Sequence, residues 1–252
     1  MVDTWLWVGV FGMAIGALGF LVYALGNGHR NNREEFQGLL TFFVPLVAAI
    51  AYLAMALGQA SFMLGDREIF WGRYADWSIT TPLLLLHLVL LLQIRPMLAV
   101  GLLVSDVIMI VTGFAGALAD RDNGVNYLWW IVSTGAFVAI LAILAAQVGT
   151  VSRKPGIDSR RVSVSRSLTG ILMVLWILYP ILWLIGQTGT AAISSGTEVA
   201  LYTILDLIAK VGFGIAVVVG VRSIPEPAES EDLFPNATQQ QRGPMPAGAR
   251  AR

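Results

Sequence analysis

TEVALYTILDLIAKVGFGIAVV, residues 197–218, is apolar enough to cross a bilayer, yet it carries Asp206 and Lys210 four residues apart. That spacing puts a carboxylate and an amine on one face of a helix. Ionisable groups at membrane depth are costly, so they face the interior of a bundle, pair with each other and mark a functional site. A buried lysine beside an aspartate is therefore the feature that the other segments have to accommodate.

Working outward, 56% of the 252 residues are hydrophobic and 13% are charged, with mean hydropathy +0.73. That composition lies outside the range of soluble globular domains and puts the chain in a membrane. Seven segments reach spanning length, at roughly 4–26, 37–58, 70–92, 97–118, 125–148, 166–187 and 197–221. The expected fold is an all-α membrane protein, a seven-transmembrane-helix bundle over 1–222. A tail over 223–252, rich in Pro, Glu, Gln and Ala, reads as disordered. The absence of cysteine excludes disulfides and thiolate metal sites, and a net charge of zero gives no sign of a nucleic-acid partner.

Asp3 stands where a secretion signal would be positive and the first apolar run is long for a signal, so it reads as a retained helix. Basic residues set the orientation. With the N-terminus outside and the C-terminus cytoplasmic, the cytoplasmic side holds Arg30, Arg33, Arg95, Arg153, Lys154, Arg160, Arg161, Arg166, Arg222, Arg242, Arg250 and Arg252. The outer side then holds only Arg67, Arg73 and Arg121, as the positive-inside rule prefers. The charges of the 149–165 connection read as this topology signal.

The third segment, FWGRYADWSITTPLLLLHLVLLL at 70–92, has Arg73, Asp76 and Thr80 at helical spacing, with His87 eleven residues beyond Asp76. Running inward, it places Arg73 outermost, Asp76 near mid-membrane and His87 about 16 Å further along the axis. Glu198, Asp206 and Lys210 descend the seventh segment in the same sense. Two carboxylates, one guanidinium and one amine balance if they share a cavity; the alternative is a set of unrelated interhelical ion pairs. In the fourth segment Asp106 is placed to meet Thr81 in an ordinary interhelical contact. In the sixth, Trp176, Tyr179, Pro180 and Trp183 form one aromatic face, which serves either packing or the wall of a pocket.

RYADWSITTP at 73–82, WILYPILW at 176–183 and LDLIAK at 205–210, with DVIMIVTG at 106–113 and WWIVST at 129–134, resemble the type 1 (microbial) rhodopsins over all seven helices. The resemblance is closest to the archaeal-type proton-pumping bacteriorhodopsins. It implies all-trans retinal carried as a Schiff base on Lys210, and a buried amine suits condensation with an aldehyde. Trp77 and Trp176 would sandwich the polyene, and Thr81, Met109, Gly113, Trp130, Ser133, Thr134, Tyr179 and Trp183 would complete the pocket. Asp76 and Asp206 would be counterions, with Arg73 below them and Thr80 hydrogen-bonded to Asp76.

The function implied is a light-driven outward proton pump in the plasma membrane, not an enzyme, with Asp76 as proton acceptor and release past Arg73 and Glu198. A fixed carboxylate at Asp76 argues against a halide pump. Lipids, protons and further copies of the chain are the expected partners. Two positions depart from the family pattern. His87 stands where pumps carry a carboxylic donor, and reads either as a donor itself or as a histidine hydrogen-bonded near the helix end. Thr188 stands where a second release glutamate is usual. The rival function is a photosensory rhodopsin with a membrane transducer, favoured by the lost carboxylic donor and opposed by Ala209, where similar sensory proteins carry threonine.

Overall fold

The computed structural model describes residues 1–26, 32–121 and 123–225. Six helices, α1 (Val2–Gly26), α2 (Asn32–Ala56), α3 (Trp71–Leu92), α4 (Pro96–Leu118), α5 (Val125–Arg153) and α6 (Ser159–Ile185), precede a seventh span. That span runs Ser195–Arg222 as α7 (Ser195–Leu207), a π turn (Ile208–Gly212) and α8 (Phe213–Arg222). Among the described residues, seven spans are long and apolar enough to cross a membrane. The chain is thus a multi-pass seven-helix bundle. Its tail beyond 225, and Arg30, Arg242, Arg250 and Arg252, lie outside the described residues.

Consecutive helices pack side by side, and α1 closes the bundle against α7. The distribution of side chains is that of a protein solvated by hydrocarbon. Ile15 is 70% and Val174 66% exposed on the outside, while Arg73, Asp76, Thr80, His87, Asp106, Asp206 and Lys210 are all buried. Charges placed inward and apolar side chains outward minimise the cost of membrane insertion. One half of the interior is aliphatic, built on Leu84, Leu88, Leu144, Leu172 and Val217, and the other is aromatic, built on Tyr74, Trp77, Trp183 and Tyr202.

The helices outrun their apolar cores. The expected basic connection at 149–165 is mostly helix, because α5 continues to Arg153 and α6 starts at Ser159. Asp158 caps α6 by accepting from the main-chain N–H groups of Arg160 and Arg161. Arg161 is more than a topology signal, since its buried guanidinium donates to the carbonyls of Leu90 and Leu91, freed where α3 ends. The α2–α3 connection, unread as strand, is an antiparallel hairpin of β1 (Phe62–Leu64) and β2 (Arg67–Ile69), with Phe62 opposite Ile69. Gly65 at φ 63° makes its tight turn.

Candidate functional site

Asp76 lies in the second turn of α3 and Lys210 in the middle of the π turn, which brings their side chains together across the bundle. Lys210 Nζ sits 2.8 Å from Asp76 Oδ2 and 2.9 Å from Asp206 Oδ1, with all three residues buried. A charged group at this depth persists only when opposite charge compensates it, and here two carboxylates flank one amine.

The two carboxylates are not equivalent. Asp206 accepts from the hydroxyls of Tyr179 at 2.7 Å and Tyr52 at 2.9 Å and from Trp77 Nε1 at 3.3 Å. Asp76 Oδ1 is buried and receives no hydrogen bond from the described residues. The hydroxyl of Thr80, expected to bond the Asp76 side chain, lies beside that carboxylate and also donates to the Asp76 main-chain carbonyl at 2.9 Å, the usual back-bond of a helical threonine.

Towards the chain's N-terminal face, Arg73 does not join the carboxylates at the amine. Its nearest acid is Glu198, 3.8 Å away, and its guanidinium lies 4.2 Å from the centre of the Tyr202 ring. Glu198 in turn accepts from the main-chain N–H of Gln187 at 2.9 Å and packs against Gly186, where a Cβ would come 2.7 Å from its carboxylate. Thr188 is held in the α6–α7 loop, donating to the Trp183 carbonyl, while its own carbonyl accepts from Asn126 at 3.0 Å.

On the other side of the amine, Leu84, Leu88, Phe213 and Val217 form part of the aliphatic half. Beyond them His87 is buried and hydrogen-bonded through Nδ1 to Gln37 Oε1 on α2.

Beside Lys210 lies one cavity. Trp77, Thr81, Met109, Gly113, Trp130, Ser133, Thr134, Trp176, Tyr179 and Trp183 all line it, together with Tyr74, Tyr202 and Pro180. Second contacts fix this wall. Thr81 donates to Asp106 Oδ2 at 2.6 Å, Ser133 to the Met109 carbonyl at 2.7 Å, and Trp130 Nε1 to the Pro180 carbonyl at 3.0 Å. Four tyrosines that matter here, Tyr52, Tyr74, Tyr179 and Tyr202, are scattered over four helices, and only Tyr179 is legible as a site residue from its motif.

A model of the bacteriorhodopsin-like protein family matches residues 1–224. The chain belongs to the bacteriorhodopsin-like family. It is 40% identical over 219 residues to a bacteriorhodopsin from Haloterrigena sp., covering 84% of this chain and 85% of the relative. Archaerhodopsin-3 from Halorubrum sodomense is 37% identical over 239 residues, 91% of this chain and 90% of that one. Among solved structures, cyanorhodopsin from the cyanobacterium Calothrix sp. NIES-2098 superposes with TM-score 0.81 at 43% identity, covering 87% of this chain and 94% of that one.

Membership makes this a retinal protein of the plasma membrane, with the cofactor on a lysine. The sequence holds two lysines, Lys154 and Lys210. Lys154 is exposed and donates to Gln93, so the attachment point is Lys210. The site fits the group: a cavity walled by Trp77, Trp130, Trp176, Tyr179 and Trp183 starts at the Lys210 side chain, apolar along its length with Thr81 and Ser133 among its polar groups. Gly113 lines it where α4 meets α5, and a Cβ there would come 3.3 Å from Ser133 Oγ.

Proposed function

We propose that this rhodopsin is a light-driven pump that moves protons outward, with the N-terminus outside and the C-terminus cytoplasmic. The observation that carries the proposal is the asymmetry of the carboxylates around Lys210. Asp206 has both oxygens engaged by Tyr52, Tyr179 and Trp77, whereas Asp76 has an oxygen with unused lone pairs. A proton leaving Nζ therefore has room on Asp76, while Asp206 remains a fixed negative charge.

Retinal, when bound, supplies a light-driven isomerisation that reorients the proton held at Nζ. The chain's residues do the rest. Trp77, Trp176 and Trp183 confine the motion, and Asp76 accepts the proton. Arg73, poised between the amine site and Glu198, responds to the neutralisation of Asp76 by favouring release on the Glu198 side. Orientation is supported by the described basic residues. Arg95, Arg153, Lys154, Arg160, Arg161, Arg166 and Arg222 gather at the His87 face, against Arg67, Arg73 and Arg121 at the other. His87 returns the proton in place of a carboxylic donor. Assembly into a homo-oligomer is part of the same proposal.

Illuminated cells or vesicles with a pH electrode outside test the reading: an uncoupler-sensitive acidification is expected, and its absence overturns the pump. The second reading, photosensory signalling to a transducer, is favoured by the lack of an acid at His87. It predicts a slow cycle with no net acidification. Lys210→Ala should be colourless, and a coloured variant would overturn the attachment point.

A further inference from the structure

The pair His87 and Gln37 has a chemistry that the proposed pump does not by itself require. Gln37 is 2% exposed and His87 1% exposed, and they come from different helices, α2 and α3. Two contacts join them. Gln37 Oε1 meets His87 Nδ1, and Gln37 Nε2 donates to the main-chain carbonyl of His87 at 3.3 Å.

Only one orientation of the amide satisfies both. Turned the other way, the amide oxygen would face the His87 carbonyl oxygen, acceptor against acceptor, and the amide NH2 would be turned away from that carbonyl. Since Oε1 can only accept, Nδ1 must carry hydrogen, in the neutral ring and in the imidazolium alike. Which imidazole nitrogen exchanges a proton is set by the hydrogen bond made by the other. The remaining atom is Nε2.

The geometry points to Gln37 as a positioning residue that pins hydrogen on His87 Nδ1, so that the ring gives up and regains its proton at Nε2 alone. This rests on the reading of His87 as the proton donor and assigns the atom through which it acts. The neutral ring, hydrogenated at Nδ1, takes a proton onto Nε2 from the cytoplasmic side and passes it on: the new Nε2–H bond then breaks and the proton moves towards the amine. The lone pair stays on Nε2, and Nδ1–H still bonds to Gln37. Gln37 is itself held by its own turn, because Thr41 Oγ1 donates to its carbonyl at 2.7 Å. Gln37 also forms part of a small cavity with Thr41, Val217, Val221, Glu34 and Arg222, which opens at the face where α2 begins and the seventh span ends. The titratable groups facing the pair are therefore Glu34 on α2, Arg222 on α8 and Tyr23 on α1.

The test uses the full retinal-bound chain in lipid, labelled with ¹⁵N-histidine. There are two histidines, His29 and His87, so His87→Ala identifies the signal. A single tautomer hydrogenated at Nδ1 is expected in the dark. Gln37→Met, similar in size but without the acceptor, should give mixed tautomers and slow the recovery after a flash by about tenfold. His87→Ala should slow it by about a hundredfold, the low end for a lost general acid. Gln37→Glu keeps an acceptor oxygen and should preserve both the tautomer and most of the rate. In a His87→Ala background Gln37→Met should add nothing, because the two act as one unit. An unchanged His87 spectrum in Gln37→Met, or a Gln37→Glu as slow as Gln37→Met, overturns the role of Gln37. Unaltered recovery in His87→Ala overturns instead the donor reading beneath it.

Discussion

Tyr52 on α2 donates its hydroxyl to Asp206 on the seventh span at 2.9 Å, although 154 residues separate them in sequence. With Tyr179 on α6 it makes one of the two carboxylates at Lys210 a permanently solvated charge, the protein supplying donors that water supplies elsewhere.

Removing one of those donors isolates its contribution. Tyr52→Phe leaves a buried carboxylate oxygen short of a partner, at a cost of about 1–3 kcal/mol. The pigment should bleach at a lower temperature. With fewer donors the charge of Asp206 is less dispersed, so the absorption maximum should move to the blue. Thermal bleaching and a dark spectrum check both.

Asp76→Asn should move the spectrum in the other direction. It takes one of two negative charges from the amine, so less charge stabilises the ground state, and absorption should shift to the red. Pumping should fall by about a hundredfold or more, since the acceptor is gone. An unchanged spectrum with normal acidification would contradict the role of Asp76.

Gly186→Ala acts at a distance from the amine. Its new Cβ would come 2.7 Å from the Glu198 carboxylate and 2.8 Å from the Leu182 carbonyl, so the carboxylate must leave Arg73 and the Gln187 N–H. Proton release, followed with a pH-sensitive dye, should be delayed while colour is retained. Glu198→Gln should reproduce the delay without the steric conflict.

Asp106 and Thr81 join α4 to α3 beside the cavity at 2.6 Å. Asp106→Asn keeps an acceptor and should retain pumping and stability. Asp106→Leu leaves the Thr81 hydroxyl with only its back-bond to Trp77, and should destabilise by about 0.5–1.5 kcal/mol, the net worth of one hydrogen bond. Comparing the bleaching temperatures of the two variants checks this.

Much of this site is legible in the chain because it lies within single helices. Asp206 and Lys210, or Arg73, Asp76 and Thr80, need only the helical repeat to be placed on one face, and the aromatic stripe from Trp176 to Trp183 likewise. What is not legible is which helix each face meets. Tyr52 and Gln37 look like any polar residue of α2 until the packing of α1, α2 and the seventh span is known. Arg73 and Glu198 are each placed towards one end of the bundle by chain direction, but that they meet, at 3.8 Å, follows only from the packing of α3 against the seventh span. Helix ends were misplaced where apolarity stops before hydrogen bonding does, as at Arg153 and Ser159. The π turn has no apolar signature at all.

That turn bears on what lengths of chain the seventh span can tolerate. A π turn accommodates an extra residue, and this one falls at Ile208–Gly212 around Lys210. Removing a single residue from it would leave an unbroken α-helix with the downstream residues still in phase, whereas rewinding the same residues as α-helix would rotate everything downstream by about 100°. Asp206 would keep its place while Phe213, Val217 and Val221, all buried now, would swing away from the aliphatic interior. The surplus residue thus acts as a phase shifter. It lets the half that serves the charges and the half that seals the interior be oriented separately, with the lysine at the seam.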